Sequence, residues 1–200
     1  MLNSLQIKET DQTYYAKTYA RSDLCIASGT NATCLSADGK KYIDFSSGIG
    51  VNSLGYSDPQ WAQAVAEQAK KLSHTSNLYY NEPSATLVKR LCEITGYRRV
   101  FLGNSGAEAN EGAIKVARKY SYDKYGEGRD TILTLVNSFH GRTVTTLAAT
   151  GQENFHKYFF PFTGSFDYIE ANRIDVLKEK LNGQVCAIML EFIQGEGVAH

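Results

Sequence analysis

From Arg98 onward, short β-prone runs alternate with helical ones, and this alternation limits the possible folds more than any other feature of the chain. Arg98–Leu102 reads as a strand and Ala107–Tyr125 as a helix stopped by Gly126. Thr131–Val136 reads as a strong strand and Thr143–Thr150 as a short helix. Ile174–Leu181 reads as another helix, capped by Asn172, and Val185–Leu190 is an apolar run of strand length. Strands separated by helices imply βαβ units and a mostly parallel sheet, with ligands expected at the C-terminal strand ends. The expected class is therefore α/β.

The upstream part is patterned differently. The first thirty residues are polar with interspersed tyrosines and read as an arm with little regular structure. Cys34–Phe45 reads as a hairpin around Asp38-Gly39, a type I′ turn signal. The small residues from Ser46 to Val51 suggest a close crossing. Asp58-Pro59 opens an amphipathic helix to Leu72, with Trp61, Val65, Ala69 and Leu72 on one face. A second helix runs from about Pro83 to Thr95, with Leu87, Leu91 and Ile94 inward and Gly96 as its stop.

Composition excludes several function classes. With 42% hydrophobic residues in 200, the chain can bury one sizeable core. Basic and acidic side chains number 21 each, so no net charge favours nucleic acid or a membrane surface, and any anion must be recognised locally. No stretch reads as a bilayer span, and Met1–Thr10 lacks the pattern of a secretory signal. Cys25, Cys34, Cys92 and Cys186 are scattered, as expected of reduced thiols in a cytoplasmic protein, and the four histidines have no metal-ligand spacing.

Three segments at expected strand ends carry chemistry. Gly103-Asn104-Ser105-Gly106-Ala107 would place uncovered backbone N–H groups and a hydroxyl at a helix N-terminus, an arrangement suited to phosphate. The bland alternative is a helix cap with no ligand. Gly-x-Ser-x-Ala also approaches the nucleophile elbow of α/β-hydrolases, with Ser105 as the nucleophile, but the usual upstream oxyanion loop is absent. Ser138-Phe139-His140-Gly141-Arg142-Thr143 offers an aromatic face for a planar heterocycle and a guanidinium for a carboxylate. Singly, these would be a core Phe, a structural His and a solvated Arg. Glu191-Phe192-Ile193-Gln194-Gly195-Glu196-Gly197 reads as a site rim or as an exposed turn.

Taken in order, these segments resemble the class III aminotransferases, which have the type I fold of pyridoxal-phosphate enzymes. The resemblance runs from about Tyr42 to the end. It is most specific in Asn104-Ser105-Gly106-Ala107-Glu108-Ala109-Asn110-Glu111 and in Ala113-Ile114-Lys115-Val116-Ala117-Arg118. Asp44-Phe45, Gly48–Asn52, Leu54-Gly55 and His74–Tyr80 are similar to the branch acting on acetylornithine. Phe192 stands where that family usually has proline, and Tyr56-Ser57 departs from its usual pattern. The resemblance implies that Ser105, Gly106 and Ala107 hold the phosphate of pyridoxal 5′-phosphate and that Phe139 stacks on its ring. It further implies that Arg142 binds the α-carboxylate of acetylornithine and glutamate, and that Glu196 helps switch the site between substrates. The lysine that carries the cofactor, and the aspartate that pairs with its ring nitrogen, lie in this family after the Gln-Gly-Glu-Gly segment. The chain therefore reads as the front part of such an enzyme, with no catalytic lysine of its own. Residues 1–55 form an arm and hairpin, and residues 56–200 the front of the cofactor-binding large domain. The resemblance implies amino-acid and 2-oxo-acid substrates, a homodimer at full length, and a role in arginine biosynthesis. Transaminases of ornithine, succinylornithine or 4-aminobutyrate, and a decayed non-catalytic paralogue, remain as alternatives.

Overall fold

A computed structural model describes residues 2–196; Gly197, the last residue of the Gln-Gly-Glu-Gly run, lies outside the described residues. The chain divides into two compact units, Met1–Ala85 and Thr86–His200.

The first unit opens with a helix, α1 (Ser4–Tyr14), where the sequence suggested an irregular arm. Its start is a reciprocal cap: the Asn3 side chain accepts from the Gln6 N–H, and the Gln6 side chain accepts from the Asn3 N–H. Polar residues fill most of the helix, so no apolar stripe announces it. Three antiparallel strands follow in the order β1 (Ile26–Thr30), β2 (Thr33–Ser36) and β3 (Lys41–Ile43). The expected hairpin is β2–β3, but its turn is not type I′. Of Asp38 and Gly39, only Gly39 has positive φ (+81°), and its N–H donates to the Ser36 carbonyl at 3.0 Å. A three-residue loop closed by a left-handed glycine results. Gly29 on β1 is required for a different reason: a Cβ there would lie 2.5 Å from the Tyr56 ring, and Tyr56 pairs with Asn31.

The short α2 (Ser47–Gly50) has left-handed backbone at Gly48 and Ile49, and a Cβ added at Gly50 would meet nothing within 4 Å. The close crossing expected there is not found among the described residues. The helix α3 (Pro59–Lys71) begins as expected, with Asp58 accepting from the Trp61 N–H at 2.8 Å. Its apolar residues Trp61 and Val65 are exposed.

The division between units falls within α4 (Glu82–Thr95), which stops at Gly96 in the left-handed region as expected. Leu87 and Ile94, expected inward, are exposed. In the second unit, Arg98–Leu102 has no ladder partner among the described residues and is irregular chain, with a bend at Arg98, rather than a strand. A β-prone run becomes a strand only when a neighbour supplies the hydrogen bonds. The next elements are α5 (Gly106–Tyr125), β4 (Thr131–Leu135), α6 (Val144–Ala149), β5 (Phe166–Ile169), α7 (Ile174–Lys180) and β6 (Val185–Met189). The strands form a parallel sheet in the order β5-β4-β6. β5 carries no strand signal in the sequence. Nor does Asn172 cap α7: the cap position is Arg173, without a side-chain hydrogen bond, and Asn172 is left-handed (φ 62°).

The central strand β4 is covered on both faces, as parallel strands require, with Ile132 and Leu133 each 1% exposed. Ile132 packs with Ile114 of α5 and Ala149 of α6, flanked by Ala117, Phe166 and Met189. Arginines tie together the loops at the N-terminal end of the sheet. Arg118 donates to the carbonyls of Asp130 (3.1 Å) and Gly164 (2.9 Å), and Arg129 to that of Val185 (3.0 Å).

This packing sets a stability expectation. Ile132→Ala should cost about 2–5 kcal/mol by leaving a cavity between sheet and helices. Val116→Ala, on the same α5 but 69% exposed, should change stability by less than about 0.5 kcal/mol. Urea unfolding of the two variants checks the contrast.

Candidate active site

The geometry begins at the N-terminus of α5. Ser105 is the cap, its hydroxyl oxygen accepting from the Glu108 N–H at 3.2 Å. The Glu108 side chain curls back and accepts from the Asn104 N–H at 2.6 Å. Among the described residues, the N–H groups of Gly106 and Ala107 have no acceptor. They stand at the positive end of a 20-residue helix, with the Ser105 hydroxyl proton free to donate beside them. A Cβ added at Gly106 would meet nothing within 4 Å, so the approach is open. The donor set and the open cradle fit a phosphate group.

Ser105 has extended backbone (φ −153°, ψ 164°), and no histidine nitrogen bonds to its hydroxyl among the described residues. A nucleophile elbow would put the serine on a strained turn beside its base, so the arrangement does not support the hydrolase alternative.

The loop after β4 is packed on this same helix turn. Gly141 (φ +133°) lies so close that an added Cβ would be 2.7 Å from the Ala107 Cβ and 3.0 Å from its Cα. Asn110 Nδ2 donates to the His140 carbonyl at 2.8 Å, and the Thr143 hydroxyl donates to Glu111 Oε1 at 2.5 Å. Phe139 and Arg142 extend from the loop as neighbours, with the guanidinium carbon 5.6 Å from the Phe139 ring centre. Phe155 lies against Phe139 at 5.8 Å between ring centres. Arg142 is exposed and Phe139 half-buried.

The third segment joins through Glu191 and Gln194, to which the sequence assigned no individual role in binding. Glu191, at the end of β6, accepts from the Phe139 N–H at 2.9 Å. Gln194, buried at 7% exposure, donates to the Val136 carbonyl at 3.0 Å. Glu196 is exposed and makes no hydrogen bond or ion pair among the described residues. All three segments thus meet at the C-terminal edge of the sheet, five of the six predicted residues lying on the first two. Of the connecting residues, Glu111 was legible as a carboxylate suited to the helix dipole and Glu191 as a rim carboxylate, whereas Asn110, Thr143 and Gln194 carried no signal beyond membership in the motifs.

His140 is the buried titratable group here, 4% exposed, with its Nε2 unpartnered among the described residues. Burial holds its pKa below the ordinary 6.5, opposed by the Glu191 carboxylate.

The class-III aminotransferase family profile matches residues 14–199. The acetylornithine aminotransferase of Haemophilus ducreyi is 58% identical over 197 residues, covering 98% of this chain and 50% of that protein. Among solved structures, the acetylornithine aminotransferase of Elizabethkingia anophelis superposes with a TM-score of 0.82 at 34% identity, covering all of this chain and 49% of that one. The ornithine aminotransferase of Toxoplasma gondii, described with partial occupancy of PLP at its active site, gives 0.92 at 30% identity, covering 98% and 48%. The α/β fold with its parallel sheet is the one that these pyridoxal-phosphate enzymes share. The chain belongs to the class III aminotransferase family, and it spans about half the length of the curated relatives it matches.

A pH dependence follows from His140. Its folded pKa lies below its unfolded one, so the unfolded chain binds the extra proton first as pH drops below about 6.5. This contribution to stability is complete above that value and is lost as pH falls towards the depressed folded pKa. His140→Gln should flatten the curve of urea midpoint against pH in this window; an unchanged slope would contradict the assignment.

Proposed function

We propose that this chain supplies the cofactor-phosphate and carboxylate-recognition parts of a transaminase that moves an amino group between N-acetylornithine and 2-oxoglutarate, using pyridoxal 5′-phosphate. The observation that carries this reading is the pair of unpaired N–H groups on Gly106 and Ala107, with the Phe139–Arg142 loop packed on the same helix turn. The cofactor, when bound, serves as an electron sink for the carbon that bears the amino group.

The chain's own residues have separate tasks. Gly106, Ala107 and the Ser105 hydroxyl grip the phosphate, aided by the helix dipole. Hydrogen bonds of this charge-assisted kind are worth about 1.5–3 kcal/mol each. The Glu108 carboxylate is engaged by the Asn104 N–H, which leaves the Gly106 and Ala107 amides uncovered. The Phe139 ring covers one face of the cofactor and keeps water from it. Arg142, exposed and without a carboxylate partner among the described residues, receives the substrate carboxylate through two parallel N–H donors. Glu196 stands at the rim, where a carboxylate can distinguish the second charged group of one substrate from that of the other. The lysine that holds the cofactor and moves the proton is assigned to the part of the relatives that this chain does not span.

Identity favours acetylornithine over ornithine, since the relative 58% identical carries the former name and the T. gondii structure 30% identical carries the latter. A homodimer, a cytoplasmic location and a place in arginine biosynthesis belong to the same reading. No helix among the described residues is long and apolar enough to cross a membrane.

Arg142→Lys tests the assignment in the chain extended to its relatives' full length. A point-charge ammonium cannot copy the planar fork, so kcat/KM for acetylornithine and for glutamate should fall by about 10- to 150-fold, or about 1.5–3 kcal/mol. Unchanged kinetics would remove Arg142 from the site. A kcat/KM for ornithine above that for acetylornithine in the unaltered protein would instead overturn the substrate.

A further inference from the structure

We propose that Asn110 and Glu111 of α5 are positioning residues for Arg142, so that one helix sets the distance between the phosphate cradle and the carboxylate grip. The inference rests on the reading of Arg142 given above. Residues three and four apart share a helix face, which puts Ala107, Asn110 and Glu111 side by side. The β4–α6 loop docks on that face residue by residue. Gly141 meets Ala107, the His140 carbonyl accepts from Asn110, and the Thr143 hydroxyl donates to Glu111.

Arg142 is the one loop residue between these fixtures with no fixture of its own. Its backbone is pinned on both sides while its side chain stays free to reach a ligand. The pinning is reinforced from behind. The His140 N–H donates to the buried Thr150 hydroxyl at 3.0 Å, so residue 140 is held through its N–H and its carbonyl at once.

The proton directions single out Glu111. A carboxylate only accepts, so the single Thr143 hydroxyl proton goes to Glu111. The Thr143 oxygen is then left to accept from the Thr146 N–H (3.2 Å) and from the Thr146 hydroxyl (2.6 Å). The Thr146 oxygen in turn accepts from the Thr143 N–H at 3.1 Å. Glu111 therefore sets the sense of the Thr143–Thr146 hydroxyl bond at the start of α6, directly after Arg142. The same bond engages its carboxylate with Thr143.

Loss of the clamp should let Arg142 drift while the cradle one turn upstream stays intact. The expected signature is thus split: weaker carboxylate binding with unchanged cofactor binding. A purely structural role would instead lower both together. The experiment uses the chain extended to its relatives' full length, loaded with pyridoxal phosphate, and glutarate as an unreactive dicarboxylate probe in calorimetry. Glu111→Ala and Asn110→Ala should each weaken glutarate and raise KM for glutamate by about 10-fold or more, since a misplacement near 1 Å costs as much as about 100-fold. Cofactor affinity, from absorbance titration, should stay within about two-fold. Glu111→Gln keeps an acceptor oxygen and should restore most of the glutarate affinity.

Should Glu111→Ala fail to fold, Thr143→Val breaks the same bond from the loop side and should give the same split. Arg142→Lys is the control that separates this proposal from the reading beneath it. If that variant binds glutarate normally, the carboxylate assignment itself fails. If it binds weakly while Glu111→Ala and Thr143→Val bind normally, the positioning role is overturned. Equal losses of cofactor and glutarate affinity without rescue by Glu111→Gln would also overturn it.

Discussion

Gly141 can lie against the first turn of α5 only because it has no side chain, and the candidate site depends on that approach. A Cβ there would sit 2.7 Å from the Ala107 Cβ and 2.6 Å from the Thr146 hydroxyl oxygen, well inside van der Waals contact. Its φ of +133° is equally unsuited to any other residue. The close contact brings the loop after β4, which carries Phe139 and Arg142, against the helix turn that bears the unpaired N–H groups of Gly106 and Ala107. Glu191 then holds the same loop from β6 through the Phe139 N–H. Two helices and two strands thus define the site, with no long-range salt bridge among its described residues.

Much of this frame was legible because it is local. The Ser105 cap and the Gly126 stop bound α5, and the apolar residues of β4 mark a strand covered on both faces. The Gly-Asn-Ser-Gly and Phe-His-Gly-Arg segments were legible for the same reason, as backbone and side-chain chemistry concentrated within a few residues. What was missed depends on distant partners or on weak pattern. β5 is four residues long and includes Asp167, so it shows little strand character until β4 pairs with it. Arg98–Leu102 has strand character but no partner among the described residues. The helix α1 rests on a polar cap, which apolar periodicity cannot report.

The same distinction applies within the site. Asn110 looks like an ordinary residue in the first turns of a helix, and Glu111 like a carboxylate placed for the helix dipole. Their contacts lie 30 and 32 residues away, on a loop whose docking depends on Gly141. Sequence spacing can place a donor on a helix face, but it cannot say which loop will arrive there. Glu108 shows how near-neutral local charge is arranged. A carboxylate favourable to the helix dipole would oppose a bound phosphate, and its hydrogen bond to the Asn104 N–H turns it aside.

The central claim is that the N-terminus of α5 is a phosphate cradle built from the Gly106 and Ala107 amides. It is tested most directly by nuclear magnetic resonance, with glycine and alanine amides labelled in the chain extended to its relatives' full length. Titration with pyridoxal phosphate should shift the Gly106 and Ala107 amide signals furthest, in the direction of a stronger hydrogen bond, and inorganic phosphate should move the same two signals less. Saturating cofactor binding that leaves both amides unmoved would contradict the account.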